Sequence, residues 1–222
     1  MKTIIIGASG GVGAAFLAEL TQRGAKPIAL SRHTTPALDL LDEASIAAAA
    51  EHYGTDLDLV IDATGFLHGP GMMPERSWKQ LNPAHLAHNF AINAIGPALL
   101  MKHFLPRLAR HRRSVFATLS ARVGSISDNN LGGWYSYRAA KSALNQLVRT
   151  ASIELRRQSK LSICVALHPG TVATPLSDPF AKSGLELQTP ELAAQRLLTV
   201  IDGLTPEQSG HLIDHHGVTI PY

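Results

Sequence analysis

Short apolar runs rich in Ile, Val and Leu alternate along the chain with longer segments of helical periodicity. The pattern predicts strands over 2–6, 27–30, 37–40, 57–63, 114–119, 161–167 and 210–214. It predicts helices over 11–24, 42–53, 82–108, 133–158 and 190–203. A bend is expected in the third helix at Gly96-Pro97, because proline lacks the backbone N–H that a helix interior uses.

The predicted strands contain almost no polar residues, which is typical of strands buried on both faces of a parallel sheet. We therefore predict a single α/β domain over residues 1–222, a Rossmann-like doubly wound fold. Its mostly parallel, seven-stranded sheet would carry helices on both faces. Such folds bind ligands beyond the carboxyl ends of their strands. Polar or glycine residues stand at several of these ends: Gly7, Ser31, Asp62, Ser120 and Pro169.

The first strand runs into a glycine-rich turn, residues 7–13, which opens the first helix. Glycines let the backbone turn sharply and approach a pyrophosphate, and the helix N-terminus offers free N–H groups. Ala14-Ala15 stand where a P-loop needs Lys followed by Ser or Thr, which disfavours that alternative. The turn predicts a dinucleotide site, and a strand-to-helix turn without a ligand is the alternative.

The second predicted strand ends at Ser31-Arg32, where an NAD site usually carries an acidic residue. A guanidinium suits a ribose 2′-phosphate, because its planar fork binds two oxygens. We therefore expect NADP(H) to be preferred over NAD(H), with a solvated surface charge as the alternative role of Arg32. Asp39 is a candidate acceptor for the adenine amino group or, equally, a turn residue.

Tyr137 and Lys141 lie four residues apart on the fourth predicted helix, so both side chains project from one face. A free phenol has a pKa of about 10 and is a poor acid-base group at neutral pH. An ammonium about 4 Å away would favour the phenolate by at most roughly 4 kcal/mol. We expect Lys141 to lower the pKa of Tyr137 for acid-base catalysis; the alternative is an aromatic ring packed on a lysine stem.

Motifs that occur together in one known family are spread over nearly the whole chain. They are Gly7-x-x-x-Gly11-x-Gly13, Asn93 on the third helix, a serine after the fifth strand, Tyr137-x-x-x-Lys141 and Pro169-Gly170. With them, the chain resembles the single-domain subgroup of the short-chain dehydrogenase/reductase family. Segments 119–126 and 133–138 resemble its C-factor and carbonyl-reductase branch.

The resemblance implies a role for each matching residue. Tyr137 would donate a proton to the substrate oxygen, and Lys141 would hold the nicotinamide ribose and lower the pKa of Tyr137. Asn93 would keep a water that links Lys141 to solvent, and Thr174 would contact the nicotinamide carboxamide. The implied cofactor-binding set is Gly7, Ser9, Gly11, Val12, Gly13, Ser31, Arg32, Asp39, Leu40, Ala63, Thr64, Gly65, Asn93, Tyr137, Lys141, Pro169, Gly170, Val172 and Thr174.

Two departures from the family pattern affect the site. The family often has two adjacent serines after the fifth strand, the second catalytic, but here Ala121 follows Ser120. We favour Ser120 as the catalytic serine, with Ser125 as the other candidate. Asp62 stands where the family often has asparagine, and an ionised carboxylate donates no hydrogen bond. Contacts to the cofactor from this strand must therefore come from the backbone or Thr64.

Composition and charge narrow further the class of protein to which the chain can belong. The formal net charge is only +3, and no aromatic residues interleave with the clustered arginines, so we expect no nucleic-acid partner. The single cysteine, Cys164, lies in an apolar run and reads as a core residue. No signal-peptide pattern or membrane-length apolar run is visible, which predicts a cytoplasmic protein. The histidines lack the spacing of metal ligands, so no metal is expected.

These observations predict an NADP(H)-dependent oxidoreductase that acts on a small-molecule carbonyl or alcohol. The alternative is a non-enzymatic NADP(H)-binding signalling protein of the C-factor type. A substrate lid is expected around 175–190, where Leu176, Phe180 and Leu185 favour a partly apolar substrate. Trp78, Trp134 and Tyr135 either line the cleft or simply pack. The family resemblance implies a homodimer or homotetramer.

Overall fold

A computed structural model of the protein describes residues 1–180 and 187–222. Its strands are Thr3–Ile6 (β1), Ile28–Leu30 (β2), Leu59–Asp62 (β3), Ser114–Leu119 (β4), Ser162–His168 (β5), Thr171–Val172 (β6), Leu187–Gln188 (β7), Leu212–Asp214 (β8) and Thr219–Ile220 (β9). Its α-helices are Gly11–Gln22 (α1), Glu43–Tyr53 (α2), Pro83–Phe90 (α3), Gly96–Phe104 (α4), Tyr135–Gln158 (α5) and Pro190–Gly203 (α6). Short 3₁₀ turns span Trp78–Gln80, Leu105–Arg107, Arg122–Gly124, Asp178–Phe180 and Pro206–Gln208.

Seven strands form one sheet in the order β2-β1-β3-β4-β5-β8-β9, and only β9 runs antiparallel to its neighbour. Strands β6 and β7 form a separate parallel pair. The chain passes from β1 to β2 on one side and returns to place β3 on the other side of β1. This reversal makes the ends of β1 and β3 the expected ligand edge of a doubly wound fold. The predicted Rossmann-like class is confirmed.

The membership of the sheet differs from the prediction at two places. Residues 37–40 form no strand: the backbone N–H of Leu38 donates to the carbonyl of Ser31, and Leu40 packs against Gly96 of α4. These contacts hold the segment back against the end of β2, so it adds no strand to the sheet edge. The seventh strand is instead β9, whose two residues pair with β8. A strand of two residues is too short to be recognised from a pattern of apolar residues.

Two apolar layers cover the two faces of the sheet, because alternate residues of each buried strand point to opposite sides. On one face Phe116 and Leu144 pack with Phe104. On the other face Ile61 packs with Phe16 and the helices α1 and α6. Burying such a side chain fully contributes roughly 1.5–3 kcal/mol, so both layers hold the strand ends in place. Cys164 is fully buried in the first layer, as predicted.

The third predicted helix is divided into α3 and α4 by a wide π turn over Ala91–Ile95. The distortion therefore precedes Gly96-Pro97 by a few residues. Pro97 lies in the first turn of α4, where a missing N–H costs little. The π turn carries Asn93 on its buried side. In the described part of the chain, none of the helices combines the length and the hydrophobicity that a membrane span requires.

Candidate active site

A cleft of about 550 Å³ opens at the carboxyl edge of the sheet. Its walls come from the glycine turn, the ends of β3, β4 and β5, and the first two turns of α5. Many of the predicted site residues line it: Ser9, Gly11, Val12, Ala63, Thr64, Gly65, Ser120, Tyr137, Lys141, Pro169, Gly170, Val172 and Thr174. Other predicted residues lie outside its lining: Gly7, Gly13, Ser31, Arg32, Asp39, Leu40 and Asn93.

The glycine turn has a shape that only glycines allow. Gly7 has a φ of +79°, and a Cβ on Gly13 would lie 2.2 Å from the carbonyl oxygen of Gly7. A Cβ on Gly11 would lie 2.8 Å from the Thr174 methyl group. Gly10, the N-cap of α1, provides no side-chain hydrogen bond, so the first N–H groups of the helix remain available to an anion.

Ser31 and Arg32 lie beside this turn, because β2 pairs with β1 and the N–H of Gly7 donates to the carbonyl of Leu30 at 2.9 Å. Arg32 is exposed, and its guanidinium contacts no partner in the described part of the chain. Asp39 accepts from the N–H of Leu41 at 3.0 Å, which is the behaviour of a turn residue. The geometry therefore leaves Arg32 free for a ligand.

Tyr137 and Lys141 both reach the cleft from α5, as their spacing predicts. The Lys141 Nζ lies 5.8 Å from the centroid of the Tyr137 ring and donates to the carbonyl of Leu119 at 2.8 Å. Burial lowers the pKa of Lys141 to about 8, opposed by the charge of Asp62. Burial raises the pKa of Tyr137 to about 12. The expectation of a lowered Tyr137 pKa is therefore wrong for the protein alone, because desolvation of the phenolate governs it and the Lys141 charge does not offset that effect.

Asp62 is fully buried at the end of β3 and is held by two threonines. It accepts hydrogen bonds from the N–H and the hydroxyl of Thr64, at 3.0 and 2.5 Å, and from the hydroxyl of Thr118 at 2.7 Å. Burial raises its pKa despite these bonds and the positive charge of Lys141. The Thr64 hydroxyl proton is thus engaged within the protein, although Thr64 lines the cleft.

Asn93 is buried, and its side chain is occupied by the loop that follows β3. Its Oδ1 accepts from the N–H of Phe66 at 3.0 Å, and its Nδ2 donates to the carbonyl of Phe66 at 2.7 Å. Nδ2 also donates to Asn89 Oδ1 at 3.2 Å. The side chain therefore fixes the backbone of Phe66, which lies between the lining residues Gly65 and Leu67, a function that its sequence position alone does not indicate.

The two candidate serines occupy different surroundings. Ser120 lines the cleft, but its hydroxyl donates to Asn145 Oδ1 at 2.7 Å. Ser125 is buried, accepts from the N–H of Asp128 at 3.2 Å, and is not among the residues that line the cleft. Ala121 does line it. Asn145 was not anticipated, although it follows Lys141 by one helical turn on the same face of α5.

Apolar side chains form the outer cleft. Only some of them were named from the sequence. The rings of Trp134 and Phe180 meet edge-on with centroids 5.1 Å apart, and Trp134 lies 6.2 Å from the Tyr137 ring. Leu67 and Val123 complete this wall. Trp78 and Tyr135 are not part of the lining, and Leu185, which the predicted lid includes, lies outside the described residues.

His168 at the end of β5 also lines the cleft, and nothing in the sequence pointed to it. Its Nδ1 is buried without a hydrogen-bond partner among the described residues. Burial, with a smaller effect from the charge of Arg122, lowers the pKa of His168 to about 4. The imidazole is therefore neutral at physiological pH.

Comparison with known proteins shows where the chain belongs. Residues 7–201 match the family model described as enoyl-(acyl carrier protein) reductase. The chain is a member of the short-chain dehydrogenase/reductase family. The resemblance inferred from the motifs is thereby confirmed, and with it membership in a family of oxidoreductases that act on small molecules.

Among other members of this family, the C-signal protein of Myxococcus xanthus is 39% identical over 139 residues, covering 63% of this chain and 80% of the relative. A 1-hydroxy-2-glutathionyl-2-methyl-3-butene dehydrogenase of a Rhodococcus strain is 30% identical over the full length of both chains. An NADPH-bound carbonyl reductase from chicken fatty liver superposes with a TM-score of 0.85 at 25% identity, covering 100% of this chain and 98% of that one.

Proposed function

We propose that this short-chain dehydrogenase/reductase is an NADP(H)-dependent enzyme that reduces an apolar carbonyl compound, or oxidises the alcohol, with Tyr137 as the general acid or base. The observation that carries the proposal is that Tyr137 and Lys141 share one cleft with the glycine turn. A proton donor and a dinucleotide site then face the same substrate space. We further propose that residues 1–222 act as one domain. The described start of the predicted 175–190 lid, residues 175–180, borders the substrate space, and residues 181–186 lie outside the described residues.

The residues around the turn fit a nicotinamide dinucleotide. The space beside Gly11 and Gly13 has no room for a side chain, and the N-terminus of α1 is uncapped, as pyrophosphate binding requires. Arg32 stands free beside the turn and would hold a 2′-phosphate, which is our reason for preferring NADP(H). When bound, the nicotinamide supplies the hydride.

The chain's own residues supply the proton. Because the pKa of Tyr137 lies well above neutrality in the protein alone, its hydroxyl is protonated before reduction, and transfer of the proton to a carbonyl oxygen needs a positive charge that stabilises the phenolate. The phenolate left after transfer would be stabilised by the Lys141 ammonium, whose Nζ lies 5.8 Å from the centroid of the Tyr137 ring. Lys141, with its pKa of about 8, titrates close to neutrality and would return a proton readily.

The outer cleft favours an apolar substrate. Trp134, Phe180, Leu67 and Val123 line it, and Lys141 is the only Lys, Arg, Asp or Glu among the described lining residues. The hydroxyl of Ser120 is shared with Asn145, so we propose it as an auxiliary contact to the substrate oxygen. Tyr137 would then be the principal hydrogen-bond donor to that oxygen.

The test is NADPH consumption with a panel of aldehydes and ketones that range from small polar compounds to aryl ketones. Tyr137→Phe should lower turnover at least roughly a hundredfold while NADPH still binds, since only the donor is removed. Tyr53→Phe on α2, away from the cleft, is the matched control and should leave turnover unchanged. Near-normal turnover of Tyr137→Phe would show that another acid operates.

A second candidate function is an NADP(H)-binding signalling protein without useful catalysis. The similarity to the Myxococcus C-signal protein favours it, as does Ala121 beside Ser120. Tight NADPH binding with no turnover anywhere in the carbonyl panel would support this candidate over the reductase.

A further inference from the structure

The first turn of α5, which carries Tyr137, is held by a carboxylate from a distant part of the chain. Glu75 lies in the segment after β3, and its Oε2 accepts from the N–H of Ser136 at 3.1 Å. Its Oε1 accepts from the Ser136 hydroxyl. The backbone carbonyl of Glu75 also accepts from the N–H of Trp134 at 2.5 Å. Three hydrogen bonds thus converge on the residues directly before Tyr137.

The start of this helix has no cap of its own. The N-cap residue, Trp134, has a positive φ of 52° and provides no side-chain hydrogen bond to the helix. Gly132 and Gly133 before it also have positive φ values, so the preceding segment is built from residues with wide conformational freedom. A helix N-terminus attracts a carboxylate through its free N–H groups and its dipole, and Glu75 meets both needs.

The surroundings of Glu75 keep its carboxylate in place and ionised. It is 2% exposed, and its Oε1 also lies 3.3 Å from His85 Nδ1 of α3. Burial alone would raise the pKa of Glu75, but the hydrogen bonds from Ser136 and the nearby His85 hold it below its ordinary value. The carboxylate is therefore ionised at neutral pH and buried against α5.

A hydrolytic role for Ser136, Glu75 and His85 is excluded by their order in space. A serine nucleophile needs the imidazole next to its hydroxyl, with the acid behind the imidazole. Here the carboxylate stands between the two, and the hydroxyl of Ser136 is fully buried. The contacts between Glu75 and Ser136 instead bear on the position of Tyr137, the next residue in the chain.

We propose that Glu75 is a positioning residue for Tyr137: it sets the place of the first turn of α5 and so aims the phenol into the cleft. The inference rests on the proposed function, since the aim of the phenol matters only if Tyr137 transfers a proton. The segment between β3 and α3 is also tied to α3 and the π turn, through Glu75 with His85 and through Phe66 with Asn93.

The first experiment compares Glu75→Gln with Glu51→Gln, an exposed glutamate on α2 that serves as the matched control. Turnover is expressed per NADPH-binding site, counted by titration, so that misfolded molecules do not contribute. We expect kcat of Glu75→Gln to fall about tenfold to a hundredfold, the effect of misplacing a catalytic group by up to about 1 Å. Affinity for NADPH should stay the same, because the glycine turn is untouched.

A purely structural role would lower the melting temperature or the number of sites but leave kcat per site at the wild-type value. That result would overturn the proposal. Ser136→Ala removes only the hydroxyl and should lower kcat per site less than Glu75→Gln does. The double variant should be no slower than Glu75→Gln alone, because both changes break one unit. If Glu75→Gln does not fold, Ser136→Ala carries the test, and an unchanged kcat per site then overturns the proposal.

Hydrogen exchange separates this proposal from the proposed function. The amides of Trp134 and Ser136 should exchange faster in Glu75→Gln than in the wild type, whether or not the protein is a reductase. If the wild type reduces no carbonyl, the proposed function fails. Faster exchange in Glu75→Gln would still support the conclusion that Glu75 holds the first turn of α5. Unchanged exchange at both amides would overturn the positioning role by itself.

Discussion

Replacing Lys141 with methionine should make the folded protein more stable at neutral pH while abolishing the proposed reductase activity. Lys141 is 2% exposed, and burial lowers its pKa from 10.5 to about 8. Keeping the ammonium charged in the folded state at pH 7 therefore costs about 3 kcal/mol relative to the unfolded chain. Methionine has a similar length and carries no charge, so it removes that cost.

Two local effects reduce the gain. The Lys141 Nζ donates to the carbonyl of Leu119 at 2.8 Å, and leaving this buried acceptor without a partner costs about 1 kcal/mol or more. Asp62, whose pKa burial already raises, also loses a favourable positive charge. We therefore expect Lys141→Met to raise the free energy of unfolding by about 1–2 kcal/mol at pH 7.

The stability difference between Lys141→Met and the wild type should depend on pH. Because the folded pKa of Lys141 lies below the unfolded one, the cost is fully present below about pH 8 and disappears as the pH rises toward 10.5. At pH 10 it has shrunk to less than about 1 kcal/mol, so the variant should lose its advantage there. The result to measure is urea unfolding of both proteins at pH 7 and pH 10.

The surface substitution Lys160→Met is the control, since it removes a lysine charge from an exposed position. It should change the free energy of unfolding by less than about 0.5 kcal/mol at either pH. A Lys141→Met protein that is less stable than the wild type by the same amount at both pH values would contradict this prediction. It would mean that packing and the Leu119 hydrogen bond, rather than desolvation of the charge, govern this position.

Three further predictions concern residues in the cleft or beside it. Arg32→Asp should weaken NADPH binding and improve NADH binding, because it exchanges a phosphate partner for an acid; an unchanged KM for NADPH would place Arg32 away from the phosphate. Gly13→Ala should abolish NADPH binding and destabilise the protein by about 1–3 kcal/mol, since its Cβ would lie 2.2 Å from the Gly7 carbonyl oxygen. Gly203→Ala, which meets nothing within 4 Å, is the control by thermal melting. Phe180→Ala should raise the KM for aryl ketones about tenfold and spare small polar aldehydes; an equal effect on both would contradict the apolar-wall interpretation.

Much of the fold follows from local patterns. The apolar strands and the helices between them were placed within a few residues, because the periodicity of each element is written in its own segment. The error at residues 37–40 has a different origin. Whether a short apolar run becomes a strand depends on a neighbour with free backbone groups, and here Leu38 and Leu40 are held by Ser31 and Gly96 instead.

Local spacing along the chain was enough to identify candidate site groups that lie close together in sequence: the glycine turn, the pair Tyr137 and Lys141, and Arg32 just after β2. How these groups behave depends on what the fold packs around them. The pKa of Tyr137 rises rather than falls, and the first turn of α5 depends on Glu75, sixty-one positions before Ser136 along the chain. Desolvation and tertiary hydrogen bonds arise from whatever packs around a group, and residues distant in sequence supply that packing.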